Sequence, residues 1–408
     1  MLNRRRFLLQ LPTLAALPHV AAAQSATQRF EDRFRRKQPA PAQPGFVYFG
    51  TETAKGVAKG IYLSRFDWNT GHLTTPALVA ATPRPSYMAI SAPVAGRRQL
   101  YSVNEVDGDA ASITSFAVDI ATGALRAVNR VSAAGAGPCH ISLDATGHAA
   151  FVANYAGSTI ATFHVNADGS LSEPVQRVNF KDAVFGHRGP VTTRQEEPHP
   201  HSVHLSPDYR FLLVNDLGSD AISVFSVDPM SARLGPPSVF RNERPGTGPR
   251  HIAFHPNGRW LYSINELDST IDQFLWTTTS SHTQPQGILV NTGRVMKTIA
   301  PNSPAAKNTA AELAVTSDGN YLYASNRGED TIAVFSIDDD GALKLVQRMP
   351  CGGKTPRNFT LSPDERWLVC GNQDSATVTV FRRDGGSGRL AGPVQSVALD
   401  SVMFTLFA

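Results

Sequence analysis

Cysteine is nearly absent. Only Cys139, Cys351 and Cys370 occur in 408 residues, an odd number and too few for a disulfide-stapled scaffold. Charged residues are also scarce, at 18%, yet an apolar share of 41% is ample for a core, which excludes a disordered chain. No apolar run reaches the ~20 residues that cross a bilayer, so a polytopic membrane protein is excluded too. Nor is there a serine nucleophile elbow or a glycine-rich phosphate loop, which argues against a covalent serine hydrolase and a nucleotide enzyme. Cys370 lies in the apolar run Trp367-Leu368-Val369-Cys370 and reads as core, whereas Cys139 stands beside His140 without further ligands at metal-site spacing.

The formal charge of +4 is distributed unevenly. Arg4, Arg5 and Arg6 precede an apolar run from Phe7 to Leu17 and the small-residue end Ala21-Ala22-Ala23, the three parts of an export signal. Asn3-Arg4-Arg5-Arg6-Phe7-Leu8 resembles a twin-arginine signal. This predicts recognition by the twin-arginine export machinery, cleavage after Ala23, a periplasmic product and no stable membrane anchor after cleavage. Residues 24–44 read as a basic, proline-rich linker. Without these 44 residues the body carries a charge of −2, with no basic cluster interleaved with aromatics, so no nucleic-acid partner is expected.

What the body has instead is a repeat. A Pro and a polar residue lead into a short alternating strand, an Asp/Gly turn, an apolar strand ending in Asn, and a third strand reaching Phe. The strand-ending residues Asn104, Asn154, Asn215, Asn265, Asn326 and Asn372 are spaced by 50, 61, 50, 61 and 46 residues. Periods of this length with short β-rich strands indicate a propeller. A seventh copy starts midway at Phe46–Thr51, and its missing innermost strand is supplied by Val402–Phe407. The expected fold class is therefore all-β: a single seven-bladed β-propeller over 45–408, closed by N- and C-terminal strands in one blade, rather than two domains. Closure hides the sheet edges.

In such a blade the start of the first strand and the end of the second open on the same face. First-strand starts supply Cys139/His140, His201, Arg250/His251, Glu312 and Arg357, and second-strand ends supply Glu105, Tyr155, Asp216, Glu266, Arg327 and Gln373. Varied charges at equivalent positions predict a polar pocket, while the asparagines are expected to bond turn backbone. The two 61-residue intervals place extra residues near Phe180–Pro198 and Thr277–Asn308, candidate lids flanking the Arg250/Glu266 blade. His199-Pro200-His201 and His204 invite a metal reading. Strand alternation, however, puts His201 and His204 on opposite faces, and no third ligand is evident, so no metal or other cofactor is expected. His204 and His255 are expected to bond turn backbone.

Pro198-His199-Pro200-His201-Ser202-Val203-His204, Val214-Asn215-Asp216-Leu217-Gly218, Pro249-Arg250-His251, Asn265-Glu266-Leu267-Asp268 and Ala324-Ser325-Asn326-Arg327-Gly328 resemble the seven-bladed lactonase family. That family includes 6-phosphogluconolactonase and carboxy-muconate cyclase members. The resemblance implies His201, Arg250, Glu266 and Arg327 as catalytic residues, with Arg194 and Gln195 on a loop that contacts substrate. His199, His140, Asp216, Glu312 and Arg357 complete the expected substrate-binding set. Glu266 is read as general base, the arginines as charge stabilisers and His201 as acid or orienting group. The implied activity is hydrolysis of a small-molecule sugar lactone, either gluconolactone or 6-phosphogluconolactone, and export favours the non-phosphorylated one. The alternatives are a lactonising cyclase and a non-catalytic exported propeller that serves as a binding module.

Overall fold

The computed structural model describes residues 45–93, 97–279, 285–304 and 307–408. The predicted export signal and linker lie outside the described residues. Seven sheets follow one another along the chain, six of four strands and one of five, each antiparallel, and no α-helix occurs among the described residues. The protein is a seven-bladed β-propeller. We number the blades 1–7 from the N-terminus.

The second strand of each blade is sandwiched between neighbouring blades, so both of its faces need apolar side chains. Ala149–Asn154, Phe211–Asp216, Trp260–Asn265 and Trp367–Asn372 are accordingly buried at every position. Outer strands alternate between exposed and half-buried residues. Three of them carry prolines, Pro236-Pro237, Pro350 and Pro393, which lack the N–H that an incoming strand would need.

Blade 1 is assembled from both ends of the propeller, as expected. Gly45–Thr51 pairs antiparallel with Val402–Phe407, Tyr48 opposite Leu406 and Gly50 opposite Phe404. An aromatic clasp secures the join: Phe407 meets Phe66 edge-on at 5.1 Å and stacks on Trp68 at 5.6 Å, while Trp367 Nε1 of blade 7 donates to Trp68 O.

A second device joins successive blades. Buried second-strand tyrosines donate to glycine carbonyls in the outer turns of the next blade: Tyr48 to Gly123, Tyr101 to Gly169, Tyr262 to Gly341 and Tyr323 to Gly388. Gly341 has φ +81°, and a Cβ there would lie 2.3 Å from Gln273 Nε2, so the turn requires glycine. Most of the strand-ending asparagines bond turn backbone as expected. Asn104 reaches Pro83 O, Asn154 reaches Ala133 O, Asn326 reaches Thr298 O and Asn372 reaches Cys351 O.

The inner strands differ from simple alternation in one systematic way. In blades 3 to 7 the ladder between first and second strands slips near the strand's start, bulging at Cys139, His201, Arg250, Ala311-Glu312 and Arg357. A bulge leaves the extra residue outside the pairing and re-aims its side chain. This corrects the expected separation of His201 from His204, since both rings pack against His251, at 5.3 and 5.9 Å. His204 also departs from its expected role. Its ring packs at a tilt on His140 at 4.6 Å and its Nε2 meets no partner, whereas His255 does bond turn backbone, at Gly319 O.

The two lengthened intervals have different destinations. Residues 180–199 pack over the top of blades 3 and 4, with Phe180 and Phe185 buried and stacked at 4.3 Å. Most of the second set extends the outer hairpin Thr270–Thr278/Gly287–Lys297, away from the channel, which corrects the expectation of a second lid.

Candidate active site

Where the bulges and second-strand ends converge, the buried carboxylate of Glu266 is surrounded by cations. Its Oε1 accepts from Arg194 Nη2 at 2.6 Å, and its Oε2 accepts from Arg250 Nε at 2.9 Å and pairs with Arg327 Nη2 at 2.9 Å. His201 Nε2 lies 3.9 Å from Oε2, beyond hydrogen-bond reach. Three blades and one loop thus meet at one side chain. Glu266 comes from the end of blade 5's second strand, Arg250 from that blade's first-strand bulge, Arg327 from the second-strand end of blade 6, His201 from blade 4, and Arg194 from the 180–199 loop.

The electrostatics follow from this packing. Burial alone would raise the Glu266 pKa, but Arg327, Arg250 and Arg194 outweigh it and hold the carboxyl well below the usual range. Burial lowers Arg327 to about 10, so it remains charged at neutral pH. His201 is pushed well below the ordinary histidine value by burial and then by Arg250, so it is neutral. Three guanidinium groups against one carboxylate leave a local excess of positive charge at a site that opens to water chiefly beside Arg194, whose side chain is 36% exposed.

The remaining expected site residues fall into four groups. Arg357 lines the channel beside its floor, 3.7 Å from Glu105, which in turn lies 3.8 Å from Arg84. Arg84 also binds Glu52 at 2.9 Å. This Arg84–Glu52 pair was missed in the sequence, although Arg84 sits between Pro83 and Pro85 at the equivalent blade position. His199 forms one wall, stacked on Tyr155 at 4.3 Å and bonded to Tyr155 O and Glu196.

Beneath these lie His140 and Glu312, at the floor of the channel. His140 packs on Tyr87 at 4.0 Å, and Glu312 accepts from His251 and Asn358. The floor leaves a free volume of about 10 Å³ beside Tyr87, Arg250 and Arg357, the room of one water molecule, so a substrate must sit above it.

Gln195 and Asp216 do not reach the pocket. Gln195 spends its amide on Leu217 O, Asp220 and Val191 N, bracing the loop that carries Arg194. Asp216 accepts from the backbone N–H groups of His199, Gly218 and Ser219, fixing the turn. Both side chains belong to the scaffold because turn N–H groups buried at these corners need acceptors. Cys139 is buried with its Sγ 3.1 Å from His201 O, and burial raises its thiol pKa, so it is no nucleophile. Among the described residues no group of three or more His, Cys, Asp or Glu side chains is arranged to hold a metal ion.

Comparison with known proteins agrees with this architecture. The sequence profile described as "Lactonase, 7-bladed beta-propeller" matches residues 46–407. A 6-phosphogluconolactonase of Bacillus subtilis is 31% identical over 345 residues, 84% of this chain and 92% of the relative. A crystal structure of a Bacteroides fragilis protein, described as a candidate 6-phosphogluconolactonase, superposes with a TM-score of 0.80 at 30% identity, covering 91% of this chain and 99% of that one. A periplasmic gluconolactonase of Pseudomonas aeruginosa gives 0.77 at 32% identity, covering 90% and 99%.

Proposed function

As a member of the seven-bladed β-propeller lactonase family the chain is a lactone-opening hydrolase, and we propose that it opens a sugar lactone to the aldonic acid at the Glu266 cluster. The observation that carries this reading is the surplus of guanidinium charge around one buried carboxylate. Attack of water on a lactone carbonyl makes its oxygen anionic, and fixed cations in a water-poor site stabilise that charge without reorganising. Arg250, Arg327 and Arg194 face this task.

The proton steps go to His201. A carboxylate that accepts from three guanidiniums and stays ionised far below neutral pH is a weak base, so Glu266 serves as the anchor of the arginines rather than as the general base expected from the sequence. His201 is neutral and takes the proton of the attacking water, its basicity raised as negative charge develops on the neighbouring carbonyl oxygen. The imidazolium so formed faces Glu266 at 3.9 Å. As the ring C–O bond breaks, the same proton passes to the leaving ring oxygen.

For localisation, Arg4–Arg6 and the apolar run after them support twin-arginine export and cleavage after Ala23, which would deliver the propeller to the periplasm. A non-phosphorylated aldonolactone is the substrate that fits this compartment. Cell fractionation with Arg4→Lys/Arg5→Lys tests the route, and an unchanged periplasmic signal would exclude it.

The reaction is tested by pH-stat titration of purified mature protein against gluconolactone and its 6-phosphate. Wild type should exceed spontaneous hydrolysis on gluconolactone, and Arg250→Lys should lose on the order of 10²–10³ in kcat/KM. No acceleration of either lactone by wild type would sink the proposal. Loss of activity on chelation, restored by a divalent ion, would overturn the metal-free chemistry.

A further inference from the structure

Below the Glu266 cluster runs a chain of buried hydrogen bonds that the proton steps do not use. It begins on the strand that closes the ring, where Thr405 N and Oγ1 both donate to Asn358 Oδ1 at 2.9 Å. Asn358 Nδ2 donates to Glu312 Oε2 at 2.6 Å, and Glu312 Oε1 lies 3.1 Å from His251 Nδ1. His251 Nε2 then meets Arg250 Nη1 at 3.3 Å, while the same Nη1 donates to Ala311 O at 2.6 Å. Arg250, Glu312, Asn358 and His251 are all at most 8% exposed.

The direction of every link is dictated by its ends. A backbone N–H can only donate, so Thr405 fixes Asn358 with its oxygen inward and its NH₂ toward Glu312. An ionised carboxylate can only accept, so His251 carries its proton on Nδ1. That leaves the Nε2 lone pair facing a guanidinium, a partner that can only donate. Arg250 is thereby gripped on both edges, by Glu266 at Nε and by His251 and Ala311 at Nη1.

We propose that Asn358, Glu312 and His251 form a positioning relay that sets the His251 tautomer, aims the Arg250 guanidinium at the substrate's carbonyl oxygen, and ties the site to closure of the ring. The relay spans blades 5, 6 and 7 and the closing strand, so the arginine is in register only when the ring is shut. The kinetic part of this inference rests on the lactonase reading. The tautomer part does not.

Glu312→Gln is the discriminating variant. Glu312 Oε1 is shared by His251 Nδ1 and the Leu313 N–H, and Oε2 takes Asn358 Nδ2, so the single oxygen of an amide cannot serve both ends and either orientation sets two donors against each other. The relay is broken at Glu312 in both cases. Long-range ¹H–¹⁵N spectra, with the His251 signal assigned by its loss in His251→Gln, should show Nδ1–H in wild type, and its resonance should shift in Glu312→Gln. The kcat on gluconolactone should fall by about 10- to 100-fold with KM changed far less, as for other partners that orient a reacting group. Glu312→Asp, which keeps the carboxylate, should keep the wild-type tautomer and recover part of kcat.

Should Glu312→Gln not fold, Asn358→Ser provides the same kcat-against-KM test from the next link. Nε2–H in the wild-type spectrum, or an unchanged kcat in a folded Glu312→Gln, would overturn the relay. A wild type inert toward lactones would remove the proposed function, while the spectra would still decide the relay.

Discussion

Replacing Glu266 by Gln removes one negative charge and leaves the shape intact, so its consequences can be worked out from the cluster. Arg250 and Arg327 are buried against this carboxylate, and Arg194 closes over it from the loop. Removing one partner of a buried ionic network typically costs about 3–5 kcal/mol, because the remaining charges lie desolvated and repel one another. With ~2.1 cal/mol/K of unfolding entropy per residue, a propeller of roughly 360 residues loses stability at about 0.75 kcal/mol/K near its midpoint. The expected drop in Tm is therefore about 4–7 °C, read by scanning calorimetry or dye-binding melts.

Two further signatures separate this account from a general packing defect. Sulfate should raise the Tm of Glu266→Gln more than that of wild type, because the emptied nest of guanidiniums takes up an anion and binding to the native state stabilises it. The gap should also depend on pH with a definite sign. The folded-state pKa of Glu266 lies below its unfolded value of ~4.3, so its contribution is complete above that pH and fades as the pH falls toward the folded value. The melting gap between wild type and variant should accordingly be constant from neutral pH down to about 5 and narrow below it. An equal Tm for both proteins at pH 7, or a gap indifferent to sulfate, would refute the view of Glu266 as electrostatic anchor.

Other outcomes follow from the same structure. Because His201 is held neutral well below the ordinary histidine range, kcat/KM should stay level as the pH falls through 6.5 and drop only at lower values; a limb centred at or above 6.5 in a pH–rate profile would remove His201 as the base. Tyr262→Phe leaves the buried Gly341 carbonyl unpaired between two blades and should cost about 1–2 kcal/mol in denaturant unfolding, with kcat unchanged. Deleting residues 402–408 removes the innermost strand of blade 1 and should yield insoluble or protease-sensitive protein; a soluble, cooperatively melting product would contradict closure by that strand.

Much of this molecule was legible in the chain because its repeat unit is local. The period of the strand-ending asparagines and the half-copies at the two ends set the blade count and the closing pair, and the folded ring has both. Strand-start and strand-end positions also brought Arg250, Glu266, Arg327 and His201 together. Alternation failed where pairing slips. Each inner-strand bulge depends on how the first strand meets the second across the turn, a relation that the six residues of Pro200–Leu205 do not carry by themselves. His201 and His204 were separated for that reason. Gln195 and Asp216 were placed in the pocket because their sequence neighbours are there, whereas their partners are backbone N–H and C=O groups exposed only by the folded loop.

The sequence by itself determined the seven-bladed ring, its closing blade, and the face on which charged residues gather, because these rest on strand period and strand ends. Tertiary structure alone decided what those charges do. Whether Glu266 is a free base or a carboxylate spent on three guanidiniums depends on distances set to within an ångström among residues from three blades and a loop. Burial then converts those distances into shifted protonation, and no one-dimensional pattern records burial.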